Sequence, residues 1–532
     1  MASSPEVEHS QTREATLTKK VLWKFDSHIL PPLALVWLAN FLDRSNAGNA
    51  RIVGLESDIH LVGNQFNIAL TVFYATYVAV ELPSNWIIKK VGPTRWLPFL
   101  VCAFGTVTTL SGLIQNFAGL TAIRVVLGMC EGGLLPGMVL YLSTIYRRHE
   151  LQLRISVFYA AVSLSGAFGG LLATAIIKMN GVGGLAGWRW IFILEGLGSV
   201  IAGLICAAVL PVNIETARFL TEEERAFALN RFYQSNVIMH TTEPTDLPDI
   251  PADPEKTDQG DKAEPEKVQV TVASAYQAEE HFEWREVVRG LTEIQAWFTG
   301  LAFLGLNVGF YSFSLFLPTI VTGLGFEGAS AQLHTVPPYV PAVVLTIFVA
   351  FLSDKLRWRG PFILICLPVA MIGKCFQLTG WWCIDIFTGY IIAIAAKTNE
   401  ARYVAVFLIA AGIYPSAPCI LSILPNNCGG HYKRATVTAL QLAIANTGGF
   451  IATFAYTSDE APKYIRGHSI ALAFTIFAWL LIAFNITYCI YENRARRRGQ
   501  RDDNIRQYRE LVQSDRTKAP IGDRHPHFLF TL

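Results

Sequence analysis

The chain has 532 residues, of which 52% are hydrophobic and only 16% are charged. Soluble globular domains carry about 25% charged residues, so this composition favours a membrane protein. The net charge of +2 gives no indication of nucleic-acid binding. We therefore expect a lipid bilayer, and no nucleic acid, as a partner.

The sequence lacks the usual signatures of catalytic and metal sites. Its nine cysteines include no C-x-x-C pair, and no G-x-S-x-G, H-E-x-x-H or phosphate-binding glycine loop occurs. We expect no metal, no cofactor and no enzymatic activity. Because no nucleotide-binding domain is present, energy for transport would come from an ion or solute gradient.

Apolar stretches long enough to cross a bilayer recur along the chain, six before a polar gap and six after it. The first of them is too long for the apolar core of a signal peptide, so we expect an uncleaved anchor. The predicted spans are residues 28–48, 64–88, 96–115, 118–145, 154–178, 188–211, 294–320, 334–353, 361–396, 401–424, 436–457 and 467–491. This pattern predicts an all-α membrane protein with twelve transmembrane helices in two six-helix halves.

Basic residues concentrate in one set of loops, which include Lys89, Lys90, Lys433 and Arg434. By the positive-inside rule, both termini and the central segment are cytoplasmic, and we expect the plasma membrane as the location. The predicted domains are a tail (1–27), the first half (28–211), a linker (212–293), the second half (294–491) and a second tail (492–532). Within the linker, Thr221 and the three glutamates after it predict a capped helix, and the composition of 242–267 predicts disorder.

Asp43 and Arg44 follow the apolar run of the first helix. They could mark the aqueous end of the helix, with both side chains in solvent. They could instead turn inward, with Arg44 as a planar fork for a carboxylate and Asp43 as a proton carrier. The sequence favours neither alternative.

The fourth span carries Arg124 and Glu131, which are seven residues apart and therefore on one face of a helix, about 10 Å from each other. Charged groups inside a membrane are costly and are functional by default.

The same span also carries glycines and a proline. Gly128, Gly132 and Gly133 permit close approach of another helix, and Pro136 interrupts the hydrogen-bond ladder. We interpret this span as the wall of a polar cavity. The alternative is a structural Arg124 paired with Glu131.

The seventh span carries Asn307, Tyr311 and Ser314 on one face. Such a stripe lines either a cavity or a helix–helix contact. In the ninth span, residues 361–396 are too long for one helix. The segment 375–387 is an outer hairpin, part of a bent helix or an artefact of the predicted coding sequence.

The chain resembles transporters of the major facilitator superfamily through Arg124-x-x-x-Gly128-x-x-x-Gly132 and through Leu352-Ser-Asp-Lys355 with Arg359-Gly360. It departs from the pattern at Lys89, where an Asp is usual. More narrowly, it is similar to the fungal anion:cation symporters for allantoate, nicotinate and pantothenate. The matching segments are Leu42-Asp-Arg-Ser-Asn-Ala-Gly-Asn49, Glu81-Leu-Pro-Ser-Asn85, Gly181-Val-Gly-Gly-Leu-Ala-Gly-Trp-Arg-Trp190, Leu220-Thr-Glu-Glu-Glu-Arg225, Thr335-Val-Pro-Pro-Tyr339, Ala411-Gly-Ile-Tyr-Pro-Ser416, Asn426-Asn427 and Gly467-His468.

The resemblance implies a role for each matched position. Arg44 would bind the substrate carboxylate, Asp43 and Glu131 would carry the coupling proton, and Arg124 would neutralise Glu131 or help gate. Polarity and helical face add a second set of substrate contacts: Asn307, Tyr311, Tyr414 and Asn446.

We therefore expect a monomeric secondary transporter that moves a small carboxylate with protons. Export of an acidic metabolite would use the same fold, because direction follows the gradients. A nutrient sensor that signals through the linker or the basic tail is the alternative from another class.

Overall fold

The computed structural model describes residues 5–237, 283–371 and 389–532, apart from positions 357, 397, 515, 518 and 520. Within these residues the chain is helical, with short connections and no strand. The helices before the linker are α1 (Pro5–Ala50), α2 (Gln65–Val91), α3 (Pro93–Ser111), α4 (Phe117–Glu131), α5 (Leu134–Ser143), α6 (Arg148–Ile176), α7 (Gly187–Val209) and α8 (Glu222–Val237). Those after it are α9 (Trp284–Leu291), α10 (Ile294–Gly323), α11 (Gly328–His334), α12 (Tyr339–Leu356), α13 (Gly360–Met371), α14 (Gly389–Ala395), α15 (Asn399–Asn427), α16 (His431–Asn446), α17 (Gly448–Ala455), α18 (Ile465–Arg497) and α19 (Asp503–Gln513).

The predicted twelve-helix fold in two halves is confirmed. Helices α4 and α5 share the fourth span, α11 and α12 the eighth, α13 and α14 the ninth, and α16 and α17 the eleventh. Nine segments of the described chain are long and apolar enough to cross a membrane by length and composition alone. The other three spans are α2, α3 and α13. Helix α2 contains Glu81, and α3 has 19 residues. The segment 375–387 lies outside the described residues.

Helix α1 begins far before the predicted span, because its polar first part packs against the linker helix α8. Lys24 Nζ donates to Glu224 Oε2 at 2.6 Å, and Lys20 lies 3.1 Å from the other carboxylate oxygen. The predicted cap of α8 is confirmed. The amide of Glu224 donates to Thr221 Oγ1, and the amide of Thr221 donates to Glu224 Oε2.

The fourth span breaks between α4 and α5, four residues before Pro136. A proline has no N–H to bond the carbonyl one turn earlier, so the ladder is interrupted there, as predicted. The glycines of α4 bring α2 close. A Cβ on Gly128 would lie 2.4 Å from the carbonyl oxygen of Phe73, and one on Gly132 would lie 2.5 Å from that of Tyr77.

The two halves meet along α2 with α16 and α17, α1 with α10, and α6 with α11 and α12. Toward the side opposite the termini, Asn67 Nδ2 donates to the carbonyl oxygen of Thr453 at 2.7 Å, and Gln332 Nε2 donates to that of Asn49 at 3.1 Å. A further hydrogen bond between the halves joins Asn446 to Glu81. The described halves are therefore hydrogen-bonded to each other on the side opposite the termini.

Candidate substrate and proton site

Arg44 lies at the centre of the bundle and is buried, with 4% of its surface exposed. Its guanidinium carbon is 5.0 Å from the ring centroids of both Phe41 and Tyr77. It is 5.4 Å from the ring of Phe73 and 5.6 Å from that of Tyr311. Cation–π attraction of this kind strengthens where water is excluded, so the four rings stabilise a buried positive charge. Asp43 is buried as well, with 2% of its surface exposed, so both side chains turn inward and neither lies in solvent. Their roles in carboxylate binding and proton transfer stay predictions.

Arg44 pairs with Glu131 on α4. Its Nε and Nη2 atoms each lie 3.2 Å from Glu131 Oε2, and the Glu131 side chain is fully buried. The expected pair between Arg124 and Glu131 is wrong. Arg124 instead faces Asp43, with Nη1 3.8 Å from Oδ2, and Thr108 Oγ1 donates to Asp43 Oδ1 at 2.9 Å.

The pairing of Arg44 with Glu131 and of Arg124 with Asp43 has a geometric cause. Asp43 and Arg44 are neighbours on α1, so their side chains leave the helix about 100° apart. Each therefore meets a different turn of α4, which carries Arg124 and Glu131 two turns apart. The result is two separate buried ion pairs, and removing one partner of such a pair leaves an uncompensated charge at a cost of about 3–5 kcal/mol.

A cavity lies between the halves beside Arg44. Its lining residues are Trp37, Phe41, Arg44, Tyr77, Leu135, Tyr159, Phe303, Asn307, Phe310, Tyr311, Leu442 and Asn446. Four of the five residues expected to contact substrate thus share one cavity. Tyr414 is outside this lining and packs behind it, with its ring 4.8 Å from that of Phe310.

A hydrogen-bonded chain crosses from the second half to the first at this cavity. Tyr311 Oη donates to Asn446 Oδ1 at 2.9 Å, and Asn446 Nδ2 donates to Glu81 Oε2 at 3.1 Å. Asn307 Nδ2 donates to the carbonyl oxygen of Ala445 at 3.1 Å. The polar stripe of α10 therefore serves both predicted purposes, since it lines the cavity and bonds to α16.

The fold and these buried charges agree with what sequence comparison finds. Residues 33–453 match the sequence model of the Major Facilitator Superfamily. The chain belongs to this superfamily. Superfamily membership makes it a multi-pass membrane transporter.

Relatives within the superfamily include several fungal transporters. An uncharacterized transporter of Schizosaccharomyces pombe is 34% identical over 96% of this chain and 90% of the relative. A high-affinity nicotinic acid transporter of Saccharomyces cerevisiae is 29% identical over 97% of this chain and 85% of the relative. An MFS-type transporter of Penicillium expansum is 32% identical over 97% and 90%.

A solved superfamily structure shares the fold. The inward-facing, unoccupied structure of a bacterial homologue of the human lysosomal transporter Spinster aligns with a TM-score of 0.55 and 14% identity. The alignment covers 87% of this chain and 96% of the other. At this identity the likeness concerns the fold alone.

Sequence reasoning gave no role to three buried polar groups of this superfamily member. Glu81 is one, although its position beside a proline inside an apolar helix was a visible signal. Glu195 is another, and its Oε2 accepts a 2.5 Å hydrogen bond from Asn46 Nδ2 of α1. Thr108 carried no signal, because threonine is common in membrane helices. Within the described part of the chain, no group of His, Cys, Asp and Glu is placed to hold a metal ion.

Proposed function

We propose that this chain is a secondary active transporter that carries a small organic anion together with protons. One observation carries the proposal. Arg44 is a buried guanidinium on the wall of a central cavity, and its charge is balanced by a carboxylate that can be neutralised by one proton.

The coupling follows from competition for Arg44. While Glu131 is ionised it is paired with the Arg44 guanidinium, and its negative charge repels a substrate carboxylate. Protonation of Glu131 removes that charge, so the guanidinium of Arg44 can make a bidentate contact with the substrate. Substrate and proton then bind together, and the loaded site carries less net charge through the conformational change.

The second ion pair supplies a further group for proton transfer in this proposal. Asp43 lies next to Arg44 in the chain and is held by Arg124 and Thr108. Asp43 would carry a coupling proton together with Glu131. Arg124, whose guanidinium stays protonated, would help gate.

The cavity wall favours a flat carboxylate. Aromatic rings on α1, α2, α6 and α10 supply stacking faces, and the amides of Asn307 and Asn446 supply polar groups in the same lining. A nicotinic acid transporter among the relatives agrees with this substrate class.

The same proposal assigns the surrounding parts. The halves at 28–211 and 294–491 would rock about the cavity, as in other transporters built from repeats. The segment 212–293 would tether them, and the termini would be cytoplasmic with the chain in the plasma membrane as a monomer.

Uptake of a panel of labelled carboxylates into proteoliposomes tests the substrate class. We expect one or more aromatic carboxylates to enter through wild type and not through Arg44→Gln. Arg506→Gln is the control, because Arg506 is an exposed arginine of α19, far from the cavity. Equal uptake by wild type and Arg44→Gln would refute the role of Arg44.

A further inference from the structure

A second pocket lies outside the transport cavity, on the side of the bundle that carries the termini. Three elements build it: α9, α19 and the C-terminal segment after α19. Its lining residues are Arg285, Glu286, Arg289, Asn504, Gln507, Tyr508, Leu511, Thr517, Ala519, Ile521 and Arg524.

Two of the three arginines in this pocket lie outside its ion pairs. Arg289 donates to Glu286 Oε1 at 2.6 Å and lies 3.6 Å from Asp523. In the described chain, Arg285 and Arg524 have no carboxylate within 4.0 Å of their guanidinium groups. Burial and the nearby charges of Arg289 and Arg285 lower the pKa of Arg524, against the opposing effect of Asp523 and Glu286. The Glu283 carboxylate also borders the pocket, where it accepts from Thr517 Oγ1 and the Ala519 amide, so Arg285 and Arg524 are the arginines available to a ligand.

Neutral polar groups complete the lining. The side chains of Gln507 and Asn504 carry amide N–H donors, one of which Asn504 gives to the carbonyl oxygen of Arg524. The Thr517 hydroxyl donates to Glu283 Oε2, and Tyr508 is fixed because its hydroxyl donates to the carbonyl oxygen of Ala519. Arginines combined with such donors match the oxygens of a phosphate group.

The outer face of α9 places this pocket at the membrane surface. Trp284, Val288 and Leu291 are spaced by four and three residues and are 72%, 54% and 44% exposed. This row continues into the first turn of the spanning helix α10 through Ile294 and Trp297, which are also exposed. A short helix with an apolar outer face and basic residues on the other lies in the interface between lipid and water.

We propose that this pocket binds the phosphate headgroup of an anionic membrane lipid. Arg285 and Arg524 would contact the phosphate, Arg289 would add charge, and Trp284 and Val288 would lie beside the acyl chains. The apolar row argues for a lipid over a free phosphate, because it leads directly from the pocket to the lipid-facing surface. The bound lipid would join α9 to the C-terminal segment. This site is independent of the transport mechanism proposed above.

The test compares the full-length chain in phosphatidylcholine vesicles with and without phosphatidylinositol. We expect phosphatidylinositol to raise the midpoint of thermal unfolding and to be retained by the protein in native mass spectrometry. Each arginine removed should weaken the lipid's apparent affinity about fivefold, so Arg285→Gln with Arg524→Gln should abolish most of the effect.

The control is a double variant with the same loss of charge, Arg506→Gln with Arg509→Gln, on exposed positions of α19. It should keep both the shift and the retained lipid. An equal loss in both double variants would show only general surface attraction and overturn the proposal. Inorganic phosphate added to phosphatidylcholine vesicles separates the two sources. If phosphate alone gives the full shift, the ligand is a free anion and the lipid proposal is wrong.

Discussion

Glu81 on α2 and Asn446 on α16 are joined across the two halves by a hydrogen bond of 3.1 Å at the edge of the central cavity. Asn446 is also the last residue of α16, and Pro83 lies two residues after Glu81 in α2. The contact thus lies at the end of one helix and beside a proline of the other. Because Asn446 also accepts from Tyr311, a cavity residue is linked directly to the contact between the halves.

Asn446→Ala should loosen this contact. It removes the donor to a buried Glu81 oxygen and the acceptor of Tyr311, at a cost of about 1–3 kcal/mol for an unsatisfied buried group. We expect a lower midpoint of thermal unfolding in detergent and slower exchange of bound substrate. Glu81→Gln is the matched variant, since its amide oxygen still accepts from Asn446. If Glu81→Gln is as damaging as Asn446→Ala, the negative charge of Glu81 matters more than the hydrogen bond.

Gly128→Ala should separate α4 from α2. The added Cβ would lie 2.4 Å from the Phe73 carbonyl oxygen and 2.2 Å from Thr76 Oγ1. Overpacking of this kind costs roughly 1–3 kcal/mol, and it would move Glu131 on the same helix. We expect a lower unfolding midpoint and reduced transport. Gly198→Ala is the control, because no atom lies within 4 Å of its added Cβ. A stable, fully active Gly128→Ala protein would contradict the tight packing of α4.

Arg44→Lys should weaken substrate binding while it preserves the charge. Lysine cannot present two nitrogens to one carboxylate and lacks the flat face that contacts four rings. We expect KM for the carboxylate to rise about tenfold, with a smaller effect on the maximal rate. Arg189→Lys is a matched control, since Arg189 also stacks on an aromatic ring, that of Trp188, but outside the cavity. Equal KM values for Arg44→Lys and wild type would exclude a forked contact.

The contact between α8 and α1 should depend on pH. The Lys24 ammonium group holds the pKa of Glu224 at about 2, below its ordinary value of 4.5. A lowered carboxyl pKa stabilises the folded contact above about pH 4.5, and this stabilisation is lost as the pH falls through about 2. Amide protection factors of residues 222–237, measured by hydrogen exchange, should fall across that interval.

At neutral pH, Glu224→Gln should reproduce part of this loss, roughly 1 kcal/mol or about fivefold in protection. Glu223→Gln should change little, because Glu223 and its partner Arg13 are both largely exposed. If the two variants are indistinguishable, Glu224 does not anchor α8.

The sequence was enough for the twelve-helix fold and for the buried arginines and acids, because lipid leaves strong constraints on apolar length and on charge. It could not decide whether Asp43 and Arg44 face solvent or the interior. A charged pair after an apolar run has the same sequence pattern at the aqueous end of a helix and in a polar interior. The pairing was wrong for Arg124 because partner choice depends on how α1 is rotated against α4. The Glu195–Asn46 contact joins residues 149 positions apart, and no local pattern specifies it.

The expected substrate contacts differ in how far the sequence could place them. Four of the expected substrate contacts share a cavity because α10 and α16 face it, which helical spacing made foreseeable for Asn307 and Tyr311. Tyr414 is polar, but it is outside the cavity lining and its ring packs against that of Phe310, which lines the cavity. Side-chain depth of this kind is set by neighbouring helices and not by the residue itself.

The most direct test of the central claim is gradient-driven uptake by Glu131→Gln in proteoliposomes. Wild type should accumulate the labelled carboxylate when an inward proton gradient is imposed. Because glutamine cannot release or take up a proton, the variant should lose accumulation and still exchange internal for external substrate. Accumulation that is unchanged in Glu131→Gln would contradict proton coupling through the Arg44–Glu131 pair.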